Sequence, residues 1–474
     1  MNKQTLTHFL LPYRFQKIDN KYLVTSEYFD WIFLDQEEFR NLQEENITNN
    51  HNLYEKLKSE NFIIESSTQA DYLMQRAKRN MNILFNGPSL HIIVLSKRCP
   101  QACGYCHSAA SLHLNKNKFD LSKENAEKFI DIIMTTPNNK ITIEFQGGEP
   151  LLRIDLIKHI YNYTENLNKK YKKDIRYTLT TNLQLMTDEI LTYFKKNNIY
   201  VCTSLDGPAY IHDKNRPNMS KDSSHQKTIE WIKKARTKGM FFGALTTISK
   251  TSLSFSKEII DEYVKLGYTE IHLRELNFLG RAVGTWKNIG YTAEDYIEFW
   301  KKSMDYILEL NKKGIFMTER TSIIILEKLI LKREANYVDL ISTGASIIGQ
   351  LSYNYDGNIY TCDEGRMIND DMFLVGDVDS KSIPEIISKQ KSINLISASI
   401  NDTYFCDYCA FKPYCGLSQE ANYQETGVPI SDVLNTSKCK IMMEIFTYIF
   451  RKLQDNKTRK IFESWILNKN YTTY

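Results

Sequence analysis

Between Leu90 and Asn277, short apolar runs alternate with longer amphipathic stretches. The runs at 92–95, 141–145, 176–180, 200–205, 242–248 and 270–276 have the length and apolar content of buried strands. The stretches near 122–134, 153–170, 187–197, 225–239 and 256–266 repeat apolar residues at helical spacing. Strands alternating with helices of this length predict parallel βαβ units of α/β class. Six such units predict a partial (β/α)6, TIM-like barrel rather than a closed eightfold one. Chemistry in such barrels sits at the carboxyl ends of the strands.

The chain before this region has a different rhythm. Runs at 13–18, 22–25 and 31–34 predict short strands, and 37–45, 53–61 and 71–80 predict helices. Strands followed by helices in residues 1–85 predict a small α+β module. At the other end, Ile441, Met442, Ile445, Phe446, Ile449, Phe450 and Leu453 recur at helical spacing. They predict one or two helices over 440–468 packed on the core. The boundaries expected from these patterns are 1–85, 86–310, 311–440 and 441–474.

Composition narrows the class. The 474 residues suffice for two or three domains, and a net charge of +4 offers no nucleic-acid surface. The basic run Lys169–Lys173 reads as a solvated helix end. No apolar stretch has the length of a membrane span, and Met1–Leu10 is no secretory signal. Nine cysteines in a chain this long are not a disulfide scaffold. Eight lie in loop-like, metal-ligand contexts, which points to a reducing cytoplasm.

The strongest chemical signal is the segment LHIIVLSKRCPQACGYCHSAA at 90–110. Cys99, Cys103 and Cys106 are spaced C-x3-C-x2-C directly after the first predicted strand. Three thiolates on a cubane iron–sulfur cluster leave one of its four irons open for a ligand. From spacing alone, a zinc site lacking its fourth ligand is the competing reading, as is chance. A second set, Cys406, Cys409, Cys415 and Cys439, reads CDYCAFKPYC followed by SKC. Four thiolates close a cluster completely, and by themselves they fit a zinc site equally well.

With Tyr105 before the third cysteine, the first loop resembles that of the radical S-adenosylmethionine enzymes. The resemblance implies a [4Fe–4S] cluster whose open iron chelates the methionine amine and carboxylate of S-adenosylmethionine, with Tyr105 near the adenine. Reduction then releases a 5′-deoxyadenosyl radical that abstracts a hydrogen atom. Gly147, Gly148 and Glu149 match the element that holds the methionine amine; alone, GGEP reads as a strand-to-helix turn. Asn182 and Ser204 match positions approaching the ribose and the methionyl end. Leu183 stands where many relatives have glycine. Arg216 could pair with a carboxylate, though a surface role is its default. His107 and His212 read as structural, and Cys202 as a buried core thiol.

The downstream cysteines resemble the SPASM/twitch-like cluster-binding extension of peptide-modifying enzymes, together with Gly357 and Cys362 in G-x4-C. A full extension binds two auxiliary clusters, but no cysteine lies between Cys202 and Cys362, and position 419 is Gln419. One auxiliary [4Fe–4S] cluster is therefore expected, with Cys362 unligated or otherwise employed. Asp363 matches the base of sulfatase-maturating relatives; a turn or cap is its competing role, and Glu364 with Arg366 forms a weaker electrostatic pair beside it.

The runs LLPYRF (10–15), EFQGGEPLL (144–152), STGASIIGQLSYNYDGNIYTCDEGRM (342–367) and CAFKPYCG (409–416) resemble the His-Xaa-Ser system radical SAM maturases. That implies modification of a short, genetically encoded precursor peptide, with an external electron donor and a second radical enzyme as further partners. Residues 1–85 resemble winged-helix elements that bind a peptide leader; a structural extension is the alternative. Two other functions stay open: oxidation of a Cys or Ser in a protein, as in sulfatase maturation, and a cluster-bearing scaffold without turnover.

Overall fold

The computed structural model describes residues 9–80, 86–115, 117–334, 346–368, 370–400, 405–430 and 433–467. Part of the 342–367 run and Asn468 therefore lie outside the described residues. The N-terminal region begins with β1 (Phe9–Leu10), then a meander of β2 (Arg14–Ile18), β3 (Lys21–Thr25) and β4 (Trp31–Leu34). Helices Gln36–Gln43 and His51–Ser59 follow, then β5 (Ile63–Ile64), which pairs with β1, and helix Ser67–Asn80. Asp35 accepts from the amides of Glu37 and Glu38 while Glu38 reaches back to Asp35, so a capping box starts the first helix. Val24, Ile32, Leu34, Phe39, Leu42, Leu53, Leu57, Phe62 and Ile63 form a core of their own.

The predicted alternation then forms. β6 (Leu90–Ser96), β7 (Lys140–Gly147), β8 (Asp174–Thr181), β9 (Ile199–Ser204) and β10 (Gly243–Thr247) pair in sequence order, all parallel. Helices Lys123–Met134, Ile154–Tyr171, Asp188–Lys196 and Ser224–Thr237 connect them, and Ser256–Lys265 follows β10. On β7, Ile141, Ile143 and Phe145 are buried under these helices, and Glu144 and Gln146 alternate with them.

The sixth expected strand, 270–276, divides at His272. β11 (Glu270–Ile271) and β12 (Leu273–Arg274) have different neighbours: β12 continues the main sheet beside β10, whereas β11 pairs with β13 (Thr318–Glu319). A strand with two partners must bend between them, and the apolar run carries no trace of that demand.

The C-terminal extension is built into the same sheet. β14 (Gln350–Tyr353) lies parallel to β6, and β15 (Asn358–Tyr360) and β16 (Leu374–Asp377) follow antiparallel. The sheet thus has nine strands in the order β12-β10-β9-β8-β7-β6-β14-β15-β16. β6, flanked on both sides, is buried along nearly its whole length, which accounts for the unbroken run LHIIVL. Two helices, Ser437–Leu453 and Asn456–Leu467, close the chain, and the apolar positions predicted for the first are all buried.

The N-terminal module grips the extension through polar contacts at Asp30. This carboxylate is fully buried, pairs with Arg76, and accepts from Lys332 Nζ at 2.8 Å. Thr25 Oγ1 donates to the Ala410 carbonyl at 2.8 Å and Arg14 Nε to the Asp407 carbonyl at 2.6 Å, both within the second cysteine segment. Asp30→Ala leaves buried Arg76 without its anion, while Lys332 keeps Glu60 at 3.0 Å. It is expected to cost about 3–5 kcal/mol of stability in denaturant unfolding; a change below about 1 kcal/mol would contradict this role.

Candidate active site

The loop 97–111 that carries Cys99, Cys103 and Cys106 leaves β6 at its carboxyl end. Its backbone is held from several sides. Cys99 N donates to the Ser111 carbonyl at 2.9 Å and Ala102 N to the Pro217 carbonyl at 2.9 Å. Helix Arg281–Ile289 clamps the carbonyls: Arg281 Nη1 donates to Cys103 O at 3.0 Å, Arg281 N to Cys106 O at 2.9 Å and Thr285 Oγ1 to Gly104 O at 2.8 Å. Gly280, at φ +57°, is required just before this helix, because a Cβ there would lie 2.0 Å from the His107 carbonyl oxygen.

The GGEP turn packs on the other side of the loop. Sequence reasoning gave its glycines to a ligand; the structure gives them first to backbone packing. A Cβ on Gly147 would lie 2.2 Å from Ser96 O, and one on Gly148 would lie 2.3 Å from Arg98 O. Gly148 N and Glu149 N donate to those same two carbonyls at 2.7 and 2.8 Å. The turn is thereby locked to the start of the cysteine loop.

Glu149 is fully buried. Its Oε1 accepts from Leu151 N at 3.0 Å and Thr181 Oγ1 at 2.6 Å, and its Oε2 from Asn182 N at 2.9 Å. No cation pairs with it among the described residues. Burial therefore pushes its carboxyl up to about 7 despite three hydrogen bonds that favour the anion. This carboxylate has room for a further N–H donor from a ligand. Asn182 faces the loop rather than open space: its Nδ2 donates to Cys99 Sγ at 3.5 Å. Leu183 adopts φ +60°, so the backbone keeps a turn suited to glycine at a small strain cost while the side chain is buried. Ser204 ends β9 half-buried.

Tyr105 is anchored through a residue that sequence reasoning missed. Its hydroxyl donates to Asp206, a fully buried carboxylate in the LDGP turn after β9. Arg216 is buried rather than on the surface. It gives Asp206 two hydrogen bonds, from Nε and Nη2 at 3.1 Å each, and its guanidinium lies 5.1 Å from the Tyr105 ring centre. Thr247 N, at the end of β10, donates to Asp206 at 3.1 Å. The D-x9-R spacing was visible in the chain but carried no signal without the turn geometry. His212 is buried and His107 half-buried, and desolvation pushes their pKa values down to about 3 and about 4, which favours the neutral rings.

Between the strand ends and the extension lies a cavity of about 480 Å³. Leu276, Trp286 and Tyr291 line it and also pack with Tyr105 and Cys103, so it abuts the three-cysteine loop. Cys362 and Glu364 reach its wall. Asp363 is occupied elsewhere: its Oδ1 accepts from Arg366 Nε at 3.0 Å and Nη2 at 2.7 Å, and Arg366 also reaches Ser108 Oγ at 3.4 Å.

Cys406, Cys409, Cys415 and Cys439 line one separate cavity of about 80 Å³, without Cys362. Among the described residues, no group of three or more His, Cys, Asp or Glu sits close enough for a single metal ion. Four thiols sharing one cavity, with Cys415 pushed up to about 12 by burial and then by its neighbouring cysteines, fit a cofactor that takes them as thiolates.

Comparison with known proteins agrees with this geometry. Residues 93–252 match the model of the Radical SAM superfamily. The cysteine-type anaerobic sulfatase-maturating enzyme of Clostridium novyi (strain NT) is 25% identical over 369 residues, covering 77% of this chain and 94% of that protein. The structure of native anSMEcpe with bound AdoMet and Cp18Cys peptide superposes with a TM-score of 0.66 at 19% identity, over 79% of this chain and all of that one. Streptococcus suis SuiB bound to its precursor peptide SuiA gives a TM-score of 0.51 at 15% identity, over 89% and 98%. No helix among the described residues is long and apolar enough to cross a membrane.

The site makes a pH prediction. Burial favours protonated Glu149 in the cofactor-free fold, and that stability is lost as pH rises through about 7. A ligand amine that donates N–H to this carboxyl is held best by the ionised form. S-adenosylmethionine binding by the reconstituted protein should therefore weaken as pH falls below that value, and Glu149→Gln should lose about 2–5 kcal/mol of affinity. Equilibrium dialysis checks both; affinity that is flat from pH 5 to 8 would contradict the assignment.

Proposed function

We propose, taking as premise that this chain is a radical SAM enzyme, that it modifies a ribosomally made peptide admitted to the cavity beside the three-cysteine loop. The observation that carries the reading is that the three-cysteine loop, to which the cation-free Glu149 is hydrogen-bonded, packs on Leu276, Trp286 and Tyr291 in the wall of a cavity of about 480 Å³. Its size falls within the range of about 300–1,000 Å³ typical of ligand pockets. When bound, the cluster and S-adenosylmethionine supply a 5′-deoxyadenosyl radical that removes a hydrogen atom from the peptide.

The protein's own residues prepare this step. Cys99, Cys103 and Cys106 would hold the cluster by three of its irons and leave the fourth for a ligand. Glu149 would accept from an N–H of the methionyl amine, and its hydrogen bonds to Thr181, Leu151 and Asn182 fix its orientation. Asn182 donates to Cys99 Sγ and limits the charge that builds on that sulfur. Asp206 and Arg216 lock Tyr105 and hence the loop. Asp363, engaged by Arg366, positions the segment that faces Ser108. Any deprotonation of substrate in this cavity we assign to Glu364, the neighbouring carboxylate on its wall.

The four-cysteine cavity would hold one auxiliary cluster, and Cys362 would remain outside it. Residues 9–80 would take the leader. Their meander ends in edge strands β2 and β4, which can accept a further strand, and the module rests on the segment carrying Cys406 and Cys409. SuiB, of similar fold, is known with its precursor peptide bound.

Anaerobic reconstitution should yield about eight irons per chain, two cubanes. With dithionite and the peptide encoded beside its gene, wild-type protein should release 5′-deoxyadenosine and change the peptide's mass or its uptake of solvent deuterium. Replacing Cys99, Cys103 and Cys106 by alanine should abolish both. Deoxyadenosine release by the triple variant, or a value near twelve irons, would refute the account.

A further inference from the structure

We propose that Gln419 hydrogen-bonds the auxiliary cluster held by Cys406, Cys409, Cys415 and Cys439 and raises its reduction potential. The inference rests on the four-cysteine reading above and deepens it. Gln419 opens the helix Gln419–Thr426, whose N-cap Ser418 accepts from Ala421 N at 3.2 Å. It is 2% exposed and lines the same cavity as the four cysteines. Among the described residues, neither Oε1 nor Nε2 of its amide has a hydrogen-bond partner. A primary amide shut away from water in this state is costly unless something in the cavity accepts its protons.

The surroundings say what that something is. The cavity wall is otherwise largely apolar, with Phe411, Val433, Met442 and Phe446 among its members. Of its other polar side chains, Lys412 pairs with Asp407 at 2.7 Å, and Asn422 Nδ2 donates to the Pro429 carbonyl at 3.4 Å. Gln419 thus brings uncommitted N–H donors into a space otherwise defined by four sulfurs. Assigning Oε1 and Nε2 the other way round changes nothing, because both are unpartnered. The unpartnered Oδ1 of Asn422 in the same cavity can take one of the two amide protons; the acceptor left for the other is a cluster sulfide or a ligating thiolate.

Such a bond has a definite electrochemical sign. One-electron reduction adds a negative charge to the cluster, here delivered by the chemical reductant of the titration. An N–H dipole aimed at a sulfur stabilises that added charge, so the reduced form gains more than the oxidised form. Gln419 is a tuning residue: it acts on the cluster, without contact to the substrate.

The test is a redox titration followed by electron paramagnetic resonance on full-length, reconstituted wild type, Gln419→Met and Gln419→Glu. The variants should keep about eight irons per chain. The auxiliary midpoint should fall in Gln419→Met by an amount equivalent to about a tenfold change in the ratio of reduced to oxidised cluster, about 59 mV for one electron. Gln419→Glu, which replaces the donors with an anion, should lower it at least as far. The midpoint of the Cys99–Cys103–Cys106 cluster should not move. An unmoved auxiliary midpoint with full iron content overturns the role of Gln419 and leaves the cluster assignment standing. Wild-type protein with about four irons overturns the cluster assignment itself. Should Gln419→Met shed its iron, Gln419→Glu decides by the same midpoint criterion.

Discussion

The arrangement depends on one buried charge pair. Asp206 and Arg216 lie in the turn and helix after β9, and together they hold Tyr105 of a loop that starts more than a hundred residues earlier. Two charges taken out of water are retained only if their hydrogen bonds are nearly complete. Asp206 meets that demand with donors from Tyr105, Asn215, Arg216 and Thr247. The result fixes the three-cysteine loop against the ends of β9 and β10. Glu149 and Asn182 then stand at the same loop from β7 and β8.

A second consequence concerns the extension. β14 continues the barrel sheet past β6, so the cysteine-rich region is no loosely tethered appendage. Its placement creates two spaces of different character. The larger borders the three-cysteine loop and includes Cys362; the smaller gathers four thiols and an unpartnered amide. Sequence counting had already separated Cys362 from the complete set. The N-terminal module lies on the outside of the smaller space, held by Asp30, Thr25 and Arg14.

Local chemistry was legible in the chain; long-range partnership was not. The strands from β6 to β10 and both cysteine sets stood out because their signals are local: apolar runs, helical spacing and ligand spacing. The break of 270–276 was hidden because it arises from two different neighbours, β10 and β13. Arg216 read as a surface residue because its partner sits across a turn whose geometry periodicity does not encode. The glycines of GGEP read as ligand contacts, although backbone packing on Ser96 and Arg98 already requires them. Asp363 and Glu364 are adjacent in sequence, and only the start of helix Asp363–Ile368 decides which of them reaches the cavity.

The central claim is that the cavity beside the three-cysteine loop delivers a peptide hydrogen atom to the radical. The most direct test is isotope transfer, with a precursor peptide deuterated at its side chains and α-carbons and the reduced, reconstituted enzyme. The account predicts 5′-deoxyadenosine carrying one deuterium from the peptide, in step with peptide modification. Deoxyadenosine without deuterium, alongside a modified peptide, would contradict it.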